Sequence, residues 1–563
     1  MKKRLFAMVL ALCMMAACCL AEAEGFTAAE KSVPLYVGSA DNRQDFKVYY
    51  INGGVIPYIS AGDVGMLLET VYNMEPQSAP FFGLTYTTRQ DHAVYSRSGG
   101  PYTMDFDFTN DTITFEDYDA FYRTEGTALV DLVWPASFTV NLYQKSELSM
   151  DRYGKVLTFD LAAYGIDLVQ TDDGYYVPLQ TVSDLLISYY GGNALFNGEA
   201  VILGTPDEKL SEILASGTDQ WNEEFAGFNY AALCCALDYQ YGLKDIHAIE
   251  SFDRLFTETG LKNDFLSSDE TKADQALYKL ISWYIGDIHS TYNGMSYMSD
   301  PERMKEMAGV RGLAMTRLQS IQDELSEARN AAYPEGIPAY EEVGNTAYIT
   351  FDAFRDPDPS IDYYAAPTEA DNSMKDTIKL MQYACAQILR EGSPVENVVL
   401  DLSLNVGGAT SAAEYVMASF LREADFSSKN MMTGAMTDAV YTVDTNLDGV
   451  FDEKDTLEGK GLHLYCLESP VSFSCGNLTP SVFKASQKVT LLGKTSGGGS
   501  CSVYALTTAA GSRFNTSGFR RFSVMKNGSF YDIDTGAEPD YYIADPVKFY
   551  DREALTQFIN GLY

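Results

Sequence analysis

The stretch SPVSFSCGNLTPSVFKAS, Ser469 to Ser486, decides how the chain is read. It lies between two short apolar runs, GLHLYCL (461–467) and KVTLLGK (488–494), each of strand length. Between them the chain turns through the polar cluster Ser474-Cys475-Gly476-Asn477 and opens a helix. The same grammar extends N-terminally. TAYITF (346–351) is followed by helical DTIKLMQYACAQILREG (376–392), then by the strand NVVLDLS (397–403) and the helix SAAEYVMASFL (411–421). Strands alternating with helices predict an α/β unit, with functional turns collecting at the strand ends.

Two other regions precede this one. Residues 24–205 carry short alternating runs rich in Tyr, Thr, Val, Asp and Gly, which predicts a β-rich domain. FKVYYINGGVIPYISAGDVGMLLETVYN (46–73) reads as strand, Gly-Gly turn, strand, helix, and DDGYYVPLQTVSDLLISYYGGNALFNGEAVILG (172–204) repeats that order. Residues 206–335 carry helical apolar spacing, for example in ADQALYKLISWYIG (273–286), and end at AAYPEGIP. The α/β unit then runs from 336 to 563. At 563 residues the chain is too long for one core, so a multidomain α/β (α+β) protein is expected.

The start, MKKRLFAMVLALCMMAACCLAEAEG, joins Lys2, Lys3 and Arg4 to an apolar run and small residues at Ala21 and Ala23. It reads as a signal peptide over 1–23 cleaved after Ala23, giving a secreted or cell-surface protein, with lipoprotein anchoring at Cys18 as the lesser alternative. No later segment is apolar enough to span a bilayer. The formal net charge of −38 argues against nucleic acid and anionic membranes as partners and suits divalent cations. The six cysteines after the signal (234, 235, 385, 466, 475 and 501) have neither disulfide-framework nor zinc-site spacing and are expected to be free thiols.

Chemistry concentrates at a few turns. ENVVLDLSLNVGGAT (396–410) ends a buried strand at Asp401 and turns through Gly407 and Gly408, where glycines let backbone N–H groups approach a ligand. YIGDIHSTYNG (284–294) holds His289, one of four histidines and the best placed for acid–base work. LLGKTSGGGSCSVY (491–504) is a strand entering a Gly-rich loop without the Lys spacing of a phosphate loop. DTNLDGVFDEKD (444–455) sets Asp444, Asn446 and Asp448 at positions 1, 3 and 5 of a calcium-loop pattern. Gly449 falls at 6, the Val450 carbonyl at 7, Asp452 at 9 and Asp455 at 12, so a structural Ca2+ is expected; the bland alternative is an acidic turn.

Taken in order, GDIHS, DLSLNVGG, FSCGN, GKTSGGG and GAEPD resemble the motifs of the tail-specific (C-terminal-processing) and tricorn-core serine peptidases. The resemblance implies a crotonase/ClpP-like ββα catalytic domain and a peptide or protein substrate, with no cofactor needed for catalysis. It also implies Ser474 as nucleophile, His289 as base, and the amides of Gly407 or Gly408 and of Cys475 as oxyanion hole. Gly498 fills the slot where processing peptidases carry a lysine, which leaves the histidine branch; Glu538, or Asp540, is then the acid expected to orient His289. Ser403 replaces the usual arginine of the Asp-Leu-Arg motif, and no span for a PDZ tether follows DIHS. Residues 24–205 resemble the copper amine oxidase N-terminal-like accessory domain, implying a wall-facing module; His92, its lone histidine, cannot make a copper site. The rival reading is a non-catalytic surface protein that binds peptides or cell wall on a degenerate peptidase fold.

Overall fold

A computed structural model describes residues 26–74, 81–98, 102–122 and 144–563. The expected signal segment and Cys18 lie outside the described residues.

In the N-terminal region the strands are β1 (Ala28–Val37), β2 (Ser39–Ile51), β3 (Pro57–Ser60), β4 (Leu84–Arg89), β5 (His92–Arg97), β6 (Thr103–Asp107) and β7 (Thr112–Phe115). They continue with β8 (Gln144–Arg152), β9 (Leu157–Asp160), β10 (Val169–Thr171), β11 (Gly174–Pro178), β12 (Ala194–Phe196) and β13 (Val201–Leu203). One sheet has the order β10-β11-β3-β2-β1-β13-β12 and a second has β4-β5-β6-β7-β9. The repeated grammar becomes a local symmetry. β3 and β11, the second strands of the two repeats, pair antiparallel with Val177 opposite Ile59, and each feeds a helix, 64–72 and 179–185.

Residues 206–335 hold helices at 208–215, 223–240, 252–259, 270–279 and 313–332. Its longest early helix, Glu223–Gln240, is buried on two faces. Phe225, Phe228, Ala232 and Cys235 pack into the N-terminal core, while Leu233, Cys234 and Leu237 pack with Phe252, Phe256 and Phe265.

The α/β region adds β14 (Thr291–Gly294), β15 (Tyr340–Val343), β16 (Thr346–Thr350), β17 (Asn397–Asp401), β18 (Ala424–Asn430) and β19 (Met436–Val443). After these come β20 (His463–Glu468), β21 (Val489–Gly493), β22 (Cys501–Thr507) and β23 (Arg513–Ser523). Its central sheet runs β15-β16-β17-β20-β21, with β16, β17, β20 and β21 parallel and the short strand Tyr541–Tyr542 on its edge. Every residue of β16 and β17 is buried, the mark of a parallel sheet covered on both faces. Helices 377–388, 410–420 and 475–486 supply the crossovers and complete the ββα pattern.

A further sheet crosses the sequence regions. β14 pairs β23, β23 pairs β18, and β18 pairs β19, which pairs β8; β22 also pairs β23. Tyr504, Ala509, Ala510 and Phe519 of the C-terminal region share a core with the N-terminal strands. The stretch 301–332, where a PDZ tether would stand, is built of helices 301–305 and 313–332. Among the described residues no helix is long and apolar enough to cross a membrane.

Candidate active site

β20 ends at Glu468, and the chain reaches the helix Cys475–Ser486 through a tight turn of buried residues. The Ser469 N–H donates to Ser472 Oγ at 2.9 Å, and Ser472 Oγ donates to the Leu402 carbonyl at 2.7 Å. The turn culminates in Ser474, at φ 57° and ψ −123°. A non-glycine residue at that backbone angle costs on the order of 1–3 kcal/mol and persists only where the surroundings enforce it. They do: the Ser474 N–H donates to the Gly498 carbonyl at 2.9 Å, and the Gly497 N–H donates to the Ser472 carbonyl at 2.7 Å. The Gly-rich loop thus grips the turn on both sides of Phe473. Ser474 is no ordinary cap, for its side chain bonds no helix amide.

Gly407 stands against this turn, at φ 99°, and a Cβ there would lie 2.5 Å from Ser474 Cβ. Its N–H donates to Asn405 Oδ1 at 2.8 Å. Gly407 is therefore not an oxyanion donor; it is the residue that lets the loop come close. The amides of Gly408 and Cys475 have no hydrogen-bond partner among the described residues. The Cys475 N–H directly follows Ser474, and Gly408 follows the Gly407 that packs against Ser474.

His289 reaches the site from a remote part of the chain. β14 pairs β23 with Thr291 opposite Asn515, which delivers the preceding turn to the catalytic region. Asp287 shapes that turn, accepting from the His289 N–H at 3.1 Å and from Ser290 Oγ at 2.8 Å. The imidazole packs edge-on against Phe473 with ring centroids 4.6 Å apart, one residue from Ser474. No hydrogen bond joins the ring to Ser474 Oγ, and Nδ1 is buried without a partner among the described residues. Burial holds the imidazole below the ordinary histidine range, with the charges of Asp287 and Asp534 pulling the other way. Burial therefore favours the neutral form of the ring.

Asp534, which the sequence reading did not single out, lies at the Gly-rich loop. It follows Asp532-Ile533 just before the GAEPD motif, and its Oδ1 accepts from the amides of Gly499 (3.1 Å) and Ser500 (2.9 Å). It thereby anchors the Gly-rich loop while its charge acts on His289. Glu538 is instead exposed and lines a different cleft with Ser481, Lys484 and Lys526. Asp540 is paired with Lys484 and accepts from the Leu491 N–H at 2.8 Å. The charged groups that act on the imidazole are Asp287 and then Asp534, with neither Glu538 nor Asp540 among them.

The absent lysine also has a structural reason. Gly498 sits at φ 84°, and a Cβ there would stand 2.1 Å from the Asp534 carbonyl oxygen, so no side chain fits the slot. Burial pushes the Cys475 thiol up to about 12, away from the thiolate form in which a cysteine attacks. The other five cysteines among the described residues are likewise free and buried. His247 meets the Tyr241 hydroxyl at 3.0 Å, His463 stacks on Tyr563, and His92 meets Asp105 at 2.9 Å.

A cleft of about 490 Å³ opens beside the turn. Ile288, Phe473 and Pro470 form one wall and Met315, Leu318 and Ile321 of helix 313–332 the other, with Asp287, Asp534 and Arg317 among its polar lining. A mostly apolar groove with few polar groups suits an extended peptide.

The acidic loop 444–455 lies apart from this site. Asp444 accepts from the Gly449 N–H at 2.8 Å, and Asp455 accepts from the Thr445 N–H at 3.1 Å and the Asp452 N–H at 2.9 Å. Lys454 lies 3.2 Å from Asp452 and 3.7 Å from Asp448. The donor set suits Ca2+, but among the described residues no three of these carboxylates gather within 4.8 Å of one another. Asn446 Oδ1 accepts from the Asp448 N–H at 2.9 Å, and the Val450 N–H goes to Asp448 Oδ1.

Residues 345–543 match the model of Peptidase family S41. No curated protein matches the chain. Among solved structures, a protein of Parabacteroides merdae described as a peptidase is 14% identical at a TM-score of 0.39, over 59% of this chain and 95% of that one. The photosystem II D1 C-terminal processing protease is 18% identical at 0.27, over 38% and 45%. A lipoprotein from Streptococcus agalactiae is 14% identical at 0.31, over 56% and 91%. These likenesses are too low to carry an argument by themselves, so the assignment stands on the family match and on the topology that houses it. What the chain shows is a match to peptidase family S41 over residues 345–543, on a parallel-sheet α/β region.

Proposed function

We propose that this chain is an exported serine peptidase that hydrolyses peptide bonds through Ser474 and His289. The observation that carries the reading is the strained Ser474, followed by the unbonded Cys475 amide, with His289 packed on the neighbouring Phe473. His289 takes the Ser474 proton as Oγ attacks the scissile carbonyl. The carbonyl oxygen becomes an anion held by the amides of Gly408 and Cys475. The imidazolium then gives the proton to the leaving amine, and a water activated by the same ring releases the acyl group. Asp534 stabilises the imidazolium through its charge, a role its loop position supports. The peptide lies in the apolar cleft and adds as a strand beside the Gly-rich loop. Export is read from the basic start and apolar run of residues 1–23. Calcium, entering loop 444–455 as Lys454 leaves, would brace the domain without taking part in chemistry.

The open Ser474–His289 contact favours one rival, a peptide-binding relative without catalysis. Incubation of the protein and of Ser474→Ala with an unfolded protein such as reduced casein separates the two. The hydrolase reading expects cleavage by the parent chain alone. Tight casein binding by both, with no cleavage by either, would make the chain a binding protein.

A further inference from the structure

Beneath the nucleophile turn lies a carboxyl group that the proposed chemistry does not use. Glu468 ends β20 six residues before Ser474 and is wholly buried, and neither carboxyl oxygen has a hydrogen-bond partner. An ionised carboxylate there, buried and without a protein partner, carries a desolvation penalty of several kcal/mol, which protonation relieves. Burial accordingly pushes the Glu468 carboxyl well above its ordinary range. The group facing it from the Gly-rich loop is the Ser496 hydroxyl. The charged groups nearest to it are Lys484 on the helix after Ser474, already paired with Asp540, and Asp540 itself; the Cys466 thiol lies two residues back on β20.

The bonding of Ser496 decides which form of Glu468 it can meet. Ser496 Oγ donates its only proton to Asn477 Oδ1 at 2.7 Å, and the orientation of Asn477 is fixed because its Nδ2 donates to the Ile533 carbonyl at 3.0 Å. Ser496 Oγ also accepts the Ala537 N–H at 2.8 Å. A hydroxyl has one donor and two acceptor sites, so what remains on Ser496 is a lone pair. Only a protonated carboxyl can bond it; a carboxylate would repel it. Ser496 in turn opens the Gly497-Gly498-Gly499 segment, whose backbone grips Ser472 and Ser474.

We propose that Glu468 is a positioning residue that works as the neutral acid: it donates to Ser496, seats the Gly-rich loop under Ser474, and releases the loop when it ionises. The consequence for Ser474 rests on the peptidase reading, whereas the seating of the loop does not. At alkaline pH the loop loosens and the nucleophile loses its geometry.

The test compares the parent chain with Glu468→Gln, whose amide donates at every pH, and Glu468→Met, which fills the space but cannot donate. Two readouts are taken from pH 6 to pH 10: hydrogen exchange of the segment 494–502, and the rate of labelling by a fluorophosphonate. At pH 6 the parent and the Gln variant exchange alike. At high pH the parent exchanges faster than the Gln variant, and its labelling falls about tenfold per pH unit beyond the midpoint while that of the Gln variant does not. The Met variant exchanges fast throughout. Identical pH dependence of exchange in the parent and the Gln variant overturns the proposal. Absence of labelling in every chain would sink the peptidase reading while exchange still decides the role of Glu468. Should the Gln variant not fold, parent exchange that never accelerates relative to the strand 397–401 overturns the proposal instead.

Discussion

Replacing Arg552 by Met should destabilise the site region more than any surface charge change, and the reason is local. Asp401 ends β17, where the loop carrying Gly407 and Gly408 begins, and it is 1% exposed; Arg552 is 3% exposed. Arg552 Nη2 donates to Asp401 Oδ2 at 2.6 Å and to Thr350 Oγ1 at 3.1 Å, while Nη1 donates to the Phe549 carbonyl at 3.0 Å. The guanidinium also lies 4.4 Å from the Tyr348 ring centre. Met matches the stem of the side chain but leaves Asp401 as a buried charge with only the Ser403 N–H, at 2.9 Å, to solvate it. Breaking a buried pair in this way costs about 3–5 kcal/mol. With a urea slope of about 2–3 kcal/mol/M, the unfolding midpoint of the α/β region should fall by about 1–2.5 M. Fluorescence-detected urea titration of the transition that abolishes fluorophosphonate labelling reads this directly. Adding Asp401→Asn to the Met variant removes the stranded charge and should recover at least half of the loss. The loss should also shrink at pH 5, where the stranded carboxyl can protonate. A midpoint drop below about 0.3 M, or a double variant worse than the single, would refute the reasoning.

Other consequences follow from the same structure. Asp184, buried where helix 179–185 meets β22, is pushed by burial to about 7, so stability contributed there is full below pH 4 and lost as pH rises to 7. Asp184→Asn should flatten that decline and gain up to about 4 kcal/mol at pH 8, as read by melting temperature against pH; parallel curves would contradict it. Gly407→Ala drives a methyl into Ser474 Cβ and should lower labelling by about 10²-fold or more in a protein that still folds; a loss under threefold would contradict the crowding. Asp534→Asn should lower hydrolysis by about 10²–10⁴-fold in kcat with KM little changed, and Glu538→Gln should leave both alone; the reverse pattern would restore Glu538 as the acid. Calcium at 100 times its dissociation constant should stabilise the chain by about 2.7 kcal/mol, and Lys454→Gln should tighten binding. No calcorimetric signal in either protein would leave the loop an acidic turn.

The order of strands and helices from 346 to 494 was legible because parallel strands are buried on both faces and stand out as short apolar runs. The turn at Ser474 was legible for the same reason, since polar residues between two such runs have a stated purpose. What the sequence hid was long-range. The cation that Ser403 lacks arrives as Arg552, about 150 positions away, and only the packing of helix 552–560 on the central sheet reveals it. Glu538 and Asp540 stood out because they lie in a motif, whereas Asp534 lies just outside it, in the turn closed by the Gly536 N–H on the Ile533 carbonyl. Gly407 and Gly408 read alike in sequence, and only the Asn405 side chain separates the spacer from the donor. The pairing of β8 with β19 joins segments almost 300 residues apart, and no local pattern announces such a pair.

The most direct measurement is fluorophosphonate labelling of the mature protein, with the adduct mapped by mass spectrometry and its rate followed against pH. The structure predicts one adduct, on Ser474, lost in Ser474→Ala and in His289→Ala. Its acid limb should have a midpoint below about 6.5, because burial favours the neutral imidazole. An adduct elsewhere, or undiminished labelling of His289→Ala, would contradict the Ser474–His289 assignment.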